Sequence, residues 1–335
     1  MYTIIELQEK IQEALSALSF KETPKELYEP INYTLSLGGK RMRPVLLLMG
    51  CDLFGGDVNK VITPAMGIEV FHNFTLLHDD IMDNAPIRRS QPTVHQKWNN
   101  SIAILSGDAM LIEAYKFIMQ VENDKLRNVL NIFNDTAIKV CEGQQLDMNY
   151  ETQQLVTIQD YLEMISMKTA VLLAASLQIG ALIAGADDED AQHLYNFGKY
   201  LGIAFQLQDD ILDVYGDKDK FGKQVGGDII SNKKTYLLLK ALELEAVGIA
   251  NPDQQIAKIT KETLNKILDN KEILPKEKIK AVTVIYNRLK VKEFAQEEMQ
   301  SFYHKAMNEL DSINVADDRK SVLITFAKTL MVREV

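Results

Sequence analysis

The feature that most constrains how this chain folds is a long stretch without proline. No proline occurs between Pro92 and Pro252, a gap of 159 residues. Because proline breaks helix interiors, this gap permits long helices. Apolar residues recur at helical spacing, as in residues 5–18, and no sustained period-two run ends in an Asn-Gly or Asp-Gly turn. The sequence therefore predicts an all-α fold, a single large bundle of long helices over residues 1–335.

The net negative charge of the chain bears on which ligands it can bind. Its net charge is −10, whereas proteins that bind nucleic acid usually present basic surface to the phosphates, so we expect no nucleic-acid partner. An anionic substrate stays possible where basic residues cluster locally. Cys51 and Cys141 form no disulfide framework, and the first residues lack a basic segment followed by an apolar one. These features predict a cytoplasmic protein with reduced thiols.

One apolar segment, residues 169–186, raises the question of a membrane span. It carries no charged residue, and its 18 residues approach the ~20 that a span requires. However, it contains Gln178, follows Lys168 directly and runs into the acidic residues 187–190. We interpret it as a buried core helix whose small residues let neighbouring helices approach closely, and we expect no transmembrane segment.

Two acidic clusters share the pattern D-D-x-x-D. They are Asp79, Asp80 and Asp83, and Asp209, Asp210 and Asp213. On a helix the first and last aspartates of such a cluster share a face. A solvated acidic surface is the ordinary explanation of one acidic run. Both clusters adjoin apolar residues, however, and carboxylates among apolar groups are unfavourable unless they are paired or bound to metal.

The donor type in these clusters suits magnesium. Mg²⁺ takes oxygen ligands and is commonly held by one or two carboxylates together with substrate phosphates and water. Two helices that face each other with these clusters would therefore clamp a diphosphate through Mg²⁺. Basic residues that could bind the phosphates occur where the helical periodicity of the sequence is interrupted. They are Lys40, Arg41 and Arg43 in GGKRMRP, then Arg88, Arg89, Lys168, Lys223 and Lys233.

An ordered series of motifs resembles the trans-isoprenyl diphosphate synthases, also called polyprenyl synthetases. The series is GGKRMRP, HNFTLLHDDIMDNAPIRR, GDAML, MKTA, FQLQDDILD, and GKQVGGDI followed by NKKT. The resemblance covers nearly the whole chain and is strongest from Leu37 to Thr235. It implies the all-helical isoprenoid synthase fold, usually as a homodimer, with an active-site cavity inside each subunit. It also implies a short-chain geranylgeranyl or farnesyl diphosphate synthase.

The resemblance implies a role for each candidate residue. All six aspartates would hold Mg²⁺, about three ions per active site, on the allylic diphosphate. The residues implied to bind isopentenyl diphosphate are Lys40, Arg43, His72 and Arg89. Those implied to contact the allylic substrate are Arg88, Lys168, Thr169, Gln206, Lys223 and Lys233. The predicted catalytic residues are Asp79, Asp80, Asp83, Asp209, Asp210, Lys168, Thr169 and Gln206.

The implied reaction joins isopentenyl diphosphate to dimethylallyl, geranyl or farnesyl diphosphate. Metal ions and basic side chains neutralise the departing diphosphate, so the allylic C–O bond can ionise. The carbocation is held against the double bond of isopentenyl diphosphate, and a dry apolar pocket protects it from water. A carbon–carbon bond then forms and a proton is lost, which the resemblance assigns to the released diphosphate.

The residues just before the first cluster bear on product length. Phe74 lies five positions before Asp79 and Thr75 lies four before it, and no insertion splits D-D-x-x-D. A single aromatic at the fifth position resembles the type that makes geranylgeranyl diphosphate. We therefore predict a C20 product rather than a C15 product, with Phe71 as a second candidate wall of the pocket.

Two other functions stay open. Class I terpene cyclases share the first aspartate motif and the all-α fold, but they normally carry N/D-x-x-S/T-x-x-x-E in place of the second motif and lack GGKR. A non-catalytic partner subunit of another prenyl synthase usually lacks some aspartates or basic residues, and this chain has all of them. The allylic primer, the physiological metal and the downstream pathway do not follow from the sequence.

Overall fold

The computed structural model of the protein describes residues 1–216, 225–249 and 264–332. Helices dominate the described residues, which confirms the all-α prediction. They are α1 (Ile4–Ala17), α2 (Lys25–Ser36), α3 (Met42–Leu53), α4 (Ile62–Met82), α5 (Val94–Lys97), α6 (Asn100–Ile118), α7 (Asn123–Thr152), α8 (Ile158–Ile165), α9 (Val171–Ala184), α10 (Asp188–Tyr215), α11 (Gly227–Ile230), α12 (Tyr236–Ile249), α13 (Pro275–Arg288), α14 (Val291–Ser312) and α15 (Asp317–Met331). A 3₁₀ turn, Val58–Val61, precedes α4, a π turn, Ser166–Ala170, joins α8 to α9, and residues 264–269 are also helical. The proline-free stretch contains α7 and α10, with 30 and 28 residues.

A short hairpin departs from the expectation that the chain has no strands. β1 (Ile87–Arg88) pairs antiparallel with β2 (Gln91–Pro92). The residues between them, Arg89 and Ser90, have φ of 52° and 62°. Two positive φ angles at the centre of a two-residue loop are the mark of a type I′ turn, which Asn-Gly usually fills. The Arg-Ser turn carries no such signal, so the pattern of turn residues could not reveal it.

The packing of the chain falls into two compact units. The first comprises Met1–Ile138, Leu172–Gly198 and Glu309–Phe326, and the second comprises Lys139–Val171, Lys199–Asn308 and Ala327–Val335. The first aspartate cluster belongs to the first unit and the second cluster to the second. The expectation of one domain over residues 1–335 stays a prediction.

The core of the first unit contains close contacts between helix backbones. A Cβ atom on Gly180 of α9 would lie 2.0 Å from the carbonyl oxygen of Leu47 in α3, and one on Gly50 would lie 2.3 Å from that of Leu177. Only glycine fits at such distances, so small residues let α3 and α9 approach as predicted. The helical stretch Ile158–Ala184 is long and apolar enough to cross a membrane by length and composition, yet 61% of its most apolar window is buried. This burial supports the interpretation of a core helix.

The core of the second unit is one continuous apolar cluster. α8, α10, α12, α13 and α14 all contribute side chains, among them Tyr161, Leu207, Leu237, Tyr286 and Met299. Burial of apolar side chains away from water is the main driving force for such packing. This apolar cluster fixes α8 and α10 in place. Polar side chains of the same two helices border the cavity described below.

Candidate active site

The first aspartate cluster lies at the C-terminal end of α4, where Arg88 of the hairpin reaches back to it. Arg88 Nε lies 2.8 and 2.9 Å from the two carboxylate oxygens of Asp80, and its Nη2 lies 2.7 Å from Oδ1. Asp79 Oδ2 is 3.8 Å from the same Nη2, and Asp83 is exposed. Burial raises the pKa of Asp80, and its hydrogen bonds to Arg88 oppose that rise. The arginine thus compensates the charge of the most buried acid in this cluster.

The type I′ turn accounts for the direction of the two hairpin arginines. An L-residue in the left-handed region is disfavoured by ~1–2 kcal/mol, and both turn residues, Arg89 and Ser90, adopt it. This tight reversal directs Arg88 to Asp80. Arg89 donates a hydrogen bond from Nη1 to the carbonyl of Gly38. Backbone strain of this kind is often retained at functional sites.

The Gly-Gly turn before Lys40 accommodates Arg89. Gly38 and Gly39 have φ of 75° and 127°, a conformation that favours glycine. A Cβ atom on Gly39 would lie 2.7 Å from the guanidinium carbon of Arg89, so the second glycine also leaves room for that side chain. Arg89, predicted to bind isopentenyl diphosphate, therefore contacts the turn that directly precedes Lys40, the other exposed residue with that prediction.

A buried ion pair connects the GGKRMRP loop to α4. Arg41 Nη1 lies 2.6 Å from Glu69 Oε1, and its Nη2 donates to the carbonyl of Leu35 at 2.6 Å. Asn73 Nδ2 also donates to Glu69 Oε1, at 2.8 Å. The sequence offers Arg41 as one of the basic residues that could bind phosphates, whereas in the structure its guanidinium pairs with Glu69 and holds the GGKRMRP loop on α4.

Arg43 and His72, both predicted ligands of isopentenyl diphosphate, contact each other. Arg43 Nη1 lies 3.1 Å from His72 Nε2. Burial, followed by the nearby arginines Arg43 and Arg89, lowers the pKa of His72 well below its usual range. Since arginine only donates, Nε2 is the acceptor and the neutral ring carries its proton on Nδ1. Burial lowers the pKa of Arg43 to about 10, so this guanidinium is still charged at neutral pH.

Phe71 and Phe74 of α4, two of the three residues predicted to set product length, belong to a cluster of aromatic side chains. Phe74 is 9% exposed, and its ring centroid lies 5.7 Å from that of Phe71 and 4.8 Å from that of His78. Phe71 is 1% exposed and packs edge-to-face on Phe133. Thr75 donates from its hydroxyl to the carbonyl of His72. Phe71 therefore supports the ring of Phe74 from within the core.

The second aspartate cluster borders a cavity of about 330 Å³ in the second unit. The cavity has carboxylates, lysines and uncharged polar groups on its wall. Its lining comprises Asp147, Tyr161, Met164, Ile165, Lys168, Thr169, Gln206, Asp209, Asp210, Asp213, Gly227, Asp228 and Lys233. Seven of the predicted site residues thus share one cavity, and Met164 and Ile165 supply part of an apolar wall.

Asp210, the buried acid of the second cluster, accepts hydrogen bonds from uncharged donors. Tyr161 donates from its hydroxyl to Asp210 Oδ2 at 2.5 Å, and the backbone N–H of Tyr236 donates to the same oxygen at 3.4 Å. Gln206 Nε2 donates to Oδ1 at 3.3 Å. Burial, followed by the charge of Asp228, raises the pKa of Asp210 to about 8. Asp210 is therefore fixed by protein groups, and Asp209 and Asp213 are the less buried acids of the cluster.

Asp213 accepts hydrogen bonds from two residues next to the start of α11. Its Oδ2 accepts a hydrogen bond from the backbone N–H of Asp228 at 3.1 Å, and its carbonyl accepts one from Gly226 at 2.6 Å. With these contacts Asp228 lies at the wall of the cavity, where its carboxylate joins those of Asp147 and the aspartate cluster. Lys223, another predicted contact of the allylic substrate, lies outside the described residues.

A π turn presents Lys168 and Thr169 to the cavity. Single π turns inserted between α-helical segments are rare and often occur at functional sites. Lys168 Nζ lies 2.6 Å from Asp147 Oδ2, and Lys233 Nζ lies 3.7 Å from the same oxygen. Thr169 donates from its hydroxyl to Gln206 at 3.5 Å. The structure therefore brings Lys168, Thr169 and Lys233 to one cavity, and it adds Asp147.

The acids of the second unit fit magnesium. Carboxylate oxygens are the ligands that Mg²⁺ prefers, and Asp209, Asp210, Asp213 and Asp228 border one cavity. Among the described residues, no group of three His, Cys, Asp or Glu side chains is close enough to hold a metal ion by itself. This arrangement suits a cation that takes one or two carboxylates and completes its shell with substrate oxygens and water, as Mg²⁺ usually does.

The sequence did not single out Tyr161 or Asp147. Tyr161 lies two helical turns before Lys168, on the side of α8 that leads to the same cavity, and this spacing could have pointed to it. Asp147 lies 21 residues before Lys168, and no local spacing connects the two. Both residues border the cavity with the predicted residues.

Comparison with known proteins defines the family. The family model of the polyprenyl synthetases matches residues 24–276. A geranylgeranyl diphosphate synthase of Sulfolobus acidocaldarius is 37% identical over 317 residues, which cover 93% of this chain and 92% of that protein. A crystal structure of a geranylgeranyl pyrophosphate synthase aligns with a TM-score of 0.91 and 40% identity over 100% of both chains. The geranylgeranyl pyrophosphate synthetase of Pyrococcus horikoshii aligns with a TM-score of 0.87 and 33% identity over 98% of both chains.

The chain belongs to the polyprenyl synthetase family. The resemblance drawn from its motifs is confirmed, and so is the class of enzyme that the motifs predicted, a prenyltransferase. The relatives do not favour a terpene cyclase or a non-catalytic subunit.

Proposed function

We propose that this protein condenses isopentenyl diphosphate with allylic diphosphates and releases a short-chain prenyl diphosphate, with C20 as the main product. The observation that carries the proposal is the cavity of the second unit. Five carboxylates, two lysines and an apolar wall border the same space there. A diphosphate head with bound cations and an attached hydrocarbon tail is the kind of ligand that this combination suits.

The diphosphate of the allylic substrate would contact the lysines of this cavity. Lys168 and Lys233 supply positive charge next to the carboxylates, and Thr169 and Gln206 offer hydrogen bonds. When the allylic C–O bond breaks, negative charge develops on the departing diphosphate. Fixed cationic groups at that position stabilise the transition state more than the ground state.

Mg²⁺ is the cofactor that we assign to both acidic clusters. Asp79, Asp80 and Asp83, and Asp209, Asp210 and Asp213, would hold it. Bound there, it would act as a Lewis acid on the diphosphate oxygens. The less buried acids of each cluster are the more accessible to an ion, whereas Asp80 and Asp210 also accept hydrogen bonds from Arg88 and Tyr161.

Isopentenyl diphosphate would bind at the basic residues of the first unit. Lys40 and Arg89 surround the Gly-Gly turn, and Arg43 is fixed by its contact with His72. Arginine binds phosphate oxygens in pairs, and lysine adds a point charge. In the reaction the double bond of this substrate attacks the allylic carbon, a carbon–carbon bond forms, and a proton leaves the product cation.

The C20 product is supported by the relatives and by the residues before the first cluster. Both solved structures and the curated relative named above are geranylgeranyl diphosphate synthases. Phe74 is held in place by Phe71 and His78, so its ring is suited to act as a rigid floor. Phe74→Ala should shift the product beyond C20, measured by mass spectrometry of the dephosphorylated prenols. An unchanged product would exclude Phe74 from this role.

A homodimer is the assembly that we propose. Leu105 and Ile112 of α6, and Met119 directly after its last residue, are spaced seven residues apart and are 60%, 63% and 51% exposed. Positions seven apart share one face of a helix, and an exposed apolar stripe favours association with another surface. Leu105→Glu should reduce the mass in light scattering to that of a monomer. We also propose a cytoplasmic location, consistent with the reduced thiols Cys51 and Cys141.

The direct test of the proposed function is turnover by the purified protein. It is incubated with Mg²⁺, dimethylallyl diphosphate and labelled isopentenyl diphosphate, and the products are separated by length. We expect a labelled prenyl diphosphate, C20 in the main, and no product in the presence of EDTA. A cyclic hydrocarbon would instead indicate a terpene cyclase. Turnover only after addition of a second synthase would indicate a partner subunit.

A further inference from the structure

A largely buried carboxylate lies beside the two lysines of the cavity in the second unit. Asp147 Oδ2 is 2.6 Å from Lys168 Nζ and 3.7 Å from Lys233 Nζ. The side chain of Asp147 is 15% exposed and borders the cavity. Burial raises the pKa of this carboxyl, but the charges of Lys233 and Lys168 outweigh that effect and leave the pKa below its usual value. Asp147 is thus ionised at neutral pH and paired with both cations.

Gly143 fixes the helix that carries this carboxylate against the backbone of Lys168. A Cβ atom on Gly143 would lie 2.3 Å from the backbone nitrogen of Lys168 and 2.7 Å from its Cα. Only glycine permits α7 to approach the π turn so closely. One helical turn further along α7, Asp147 meets the ammonium group of the same lysine. α7 therefore contacts Lys168 at two points: Gly143 packs against its backbone, and Asp147 pairs with its ammonium group.

We propose that Asp147 is a positioning residue that fixes the ammonium groups of Lys168 and Lys233 where the departing diphosphate develops its charge. The inference rests on the proposed function, since the ligand of these lysines is the allylic diphosphate. A lysine side chain is a flexible four-carbon stem with a point charge at its end. An ion pair at 2.6 Å restricts that stem before the substrate binds.

This role makes a prediction that a purely structural role does not make. The negative charge of Asp147 weakens the attraction of the two lysines for any diphosphate, but it also fixes their geometry. Without that charge, ground-state binding should become tighter and the chemical step slower. A variant that is merely misfolded would instead bind the diphosphate more weakly and also turn over more slowly.

The experiment compares Asp147→Asn, which keeps the size of the side chain and removes its charge, with the wild type. We expect kcat to fall on the order of 10- to 100-fold, the effect of misplaced catalytic groups. Binding of inorganic pyrophosphate with Mg²⁺, measured by titration calorimetry, should tighten by about fivefold, as expected for removal of one screened charge. Glu142→Gln removes an exposed charge from the same helix and should change neither quantity.

A double-mutant cycle distinguishes positioning of Lys168 from a general loss of stability, which would lower kcat by the same factor in both backgrounds. In the Lys168→Gln background, Asp147→Asn should lower kcat by a smaller factor than in the wild type, because the two residues act as one unit. Equal factors in both backgrounds, or pyrophosphate binding that weakens together with kcat in a folded Asp147→Asn protein, would overturn the inference. If the wild type itself does not condense the substrates, it is the proposed function that fails.

Discussion

The two D-D-x-x-D clusters have the same spacing but different environments. In the first unit, the central acid Asp80 is paired with the guanidinium of Arg88. In the second unit, the corresponding acid Asp210 is held by the hydroxyl of Tyr161, the amide of Gln206 and a backbone N–H. A charged donor compensates the first acid, whereas uncharged donors surround the second.

The difference shows that one sequence pattern can meet the penalty of a buried carboxylate in two ways. An arginine partner favours the charged form of Asp80, although burial still raises its pKa above the usual value. Asp210 lacks an arginine among its described hydrogen-bond donors, and burial raises its pKa to about 8. Lys168 and Lys233, which border the same cavity, pair with Asp147.

The largest expected effect tests whether both clusters act on the same substrate. Asp79→Asn and Asp209→Asn should each lower kcat on the order of 10²- to 10³-fold, because each removes a carboxylate assigned to Mg²⁺. If the clusters act as a unit, the double variant should be little slower than either single variant. Incorporation of labelled isopentenyl diphosphate measures all three. Multiplication of the two factors would show that the clusters act independently, and Glu297→Gln, an exposed acid on α14, is the control.

The next prediction separates the two environments by stability. Arg88→Gln leaves Asp80 buried without its charged partner, and we expect the free energy of unfolding to fall by about 2 kcal/mol. This expected loss of stability is smaller than the loss on breaking a fully buried ion pair, because the Arg88 side chain is 29% exposed. Urea unfolding followed by circular dichroism gives the change. Arg127→Gln removes an exposed arginine from α7 and should leave stability unchanged. Equal stability of both variants would contradict the importance of the Arg88–Asp80 pair.

A smaller effect is expected for the uncharged donor in the second unit. Tyr161→Phe removes the hydroxyl at 2.5 Å from Asp210 but leaves the donors Gln206 and Tyr236 in place. We expect the free energy of unfolding to fall by about 1.5 kcal/mol, measured in the same urea series. Tyr303→Phe, at a half-buried tyrosine of α14, is the matched control. A loss larger than that of Arg88→Gln would reverse the order that the comparison predicts.

The smallest effect concerns the strained turn that directs Arg88 to the first cluster. Ser90 has a φ of 62°, which glycine adopts without a steric penalty. Ser90→Gly should therefore raise the free energy of unfolding by about 0.5 kcal/mol, since relief of strain exceeds the added freedom of the unfolded chain. Activity should stay close to that of the wild type. A destabilised Ser90→Gly protein would show that the turn is not strained at this residue.

Much of the site could be predicted because its information is local. The spacing within D-D-x-x-D, the Gly-Gly turn before Lys40 and the polar start of the apolar helix at Lys168 are all readable in short windows. The contacts Arg43–His72, Thr169–Gln206 and Lys168–Lys233 around Asp147 then joined residues that the motifs had already named. The hairpin was missed because Arg89 and Ser90 are uncommon residues for the turn they form.

The sequence by itself determined the helical class, the positions of the acids and the basic residues, and the family to which the chain belongs. Only the tertiary structure decided which partner each charged group has. Tyr161 reaches Asp210 across 49 residues and Lys168 reaches Asp147 across 21. The electrostatic energy of a buried group depends on distances in space and on exclusion of water, and neither is a function of separation along the chain.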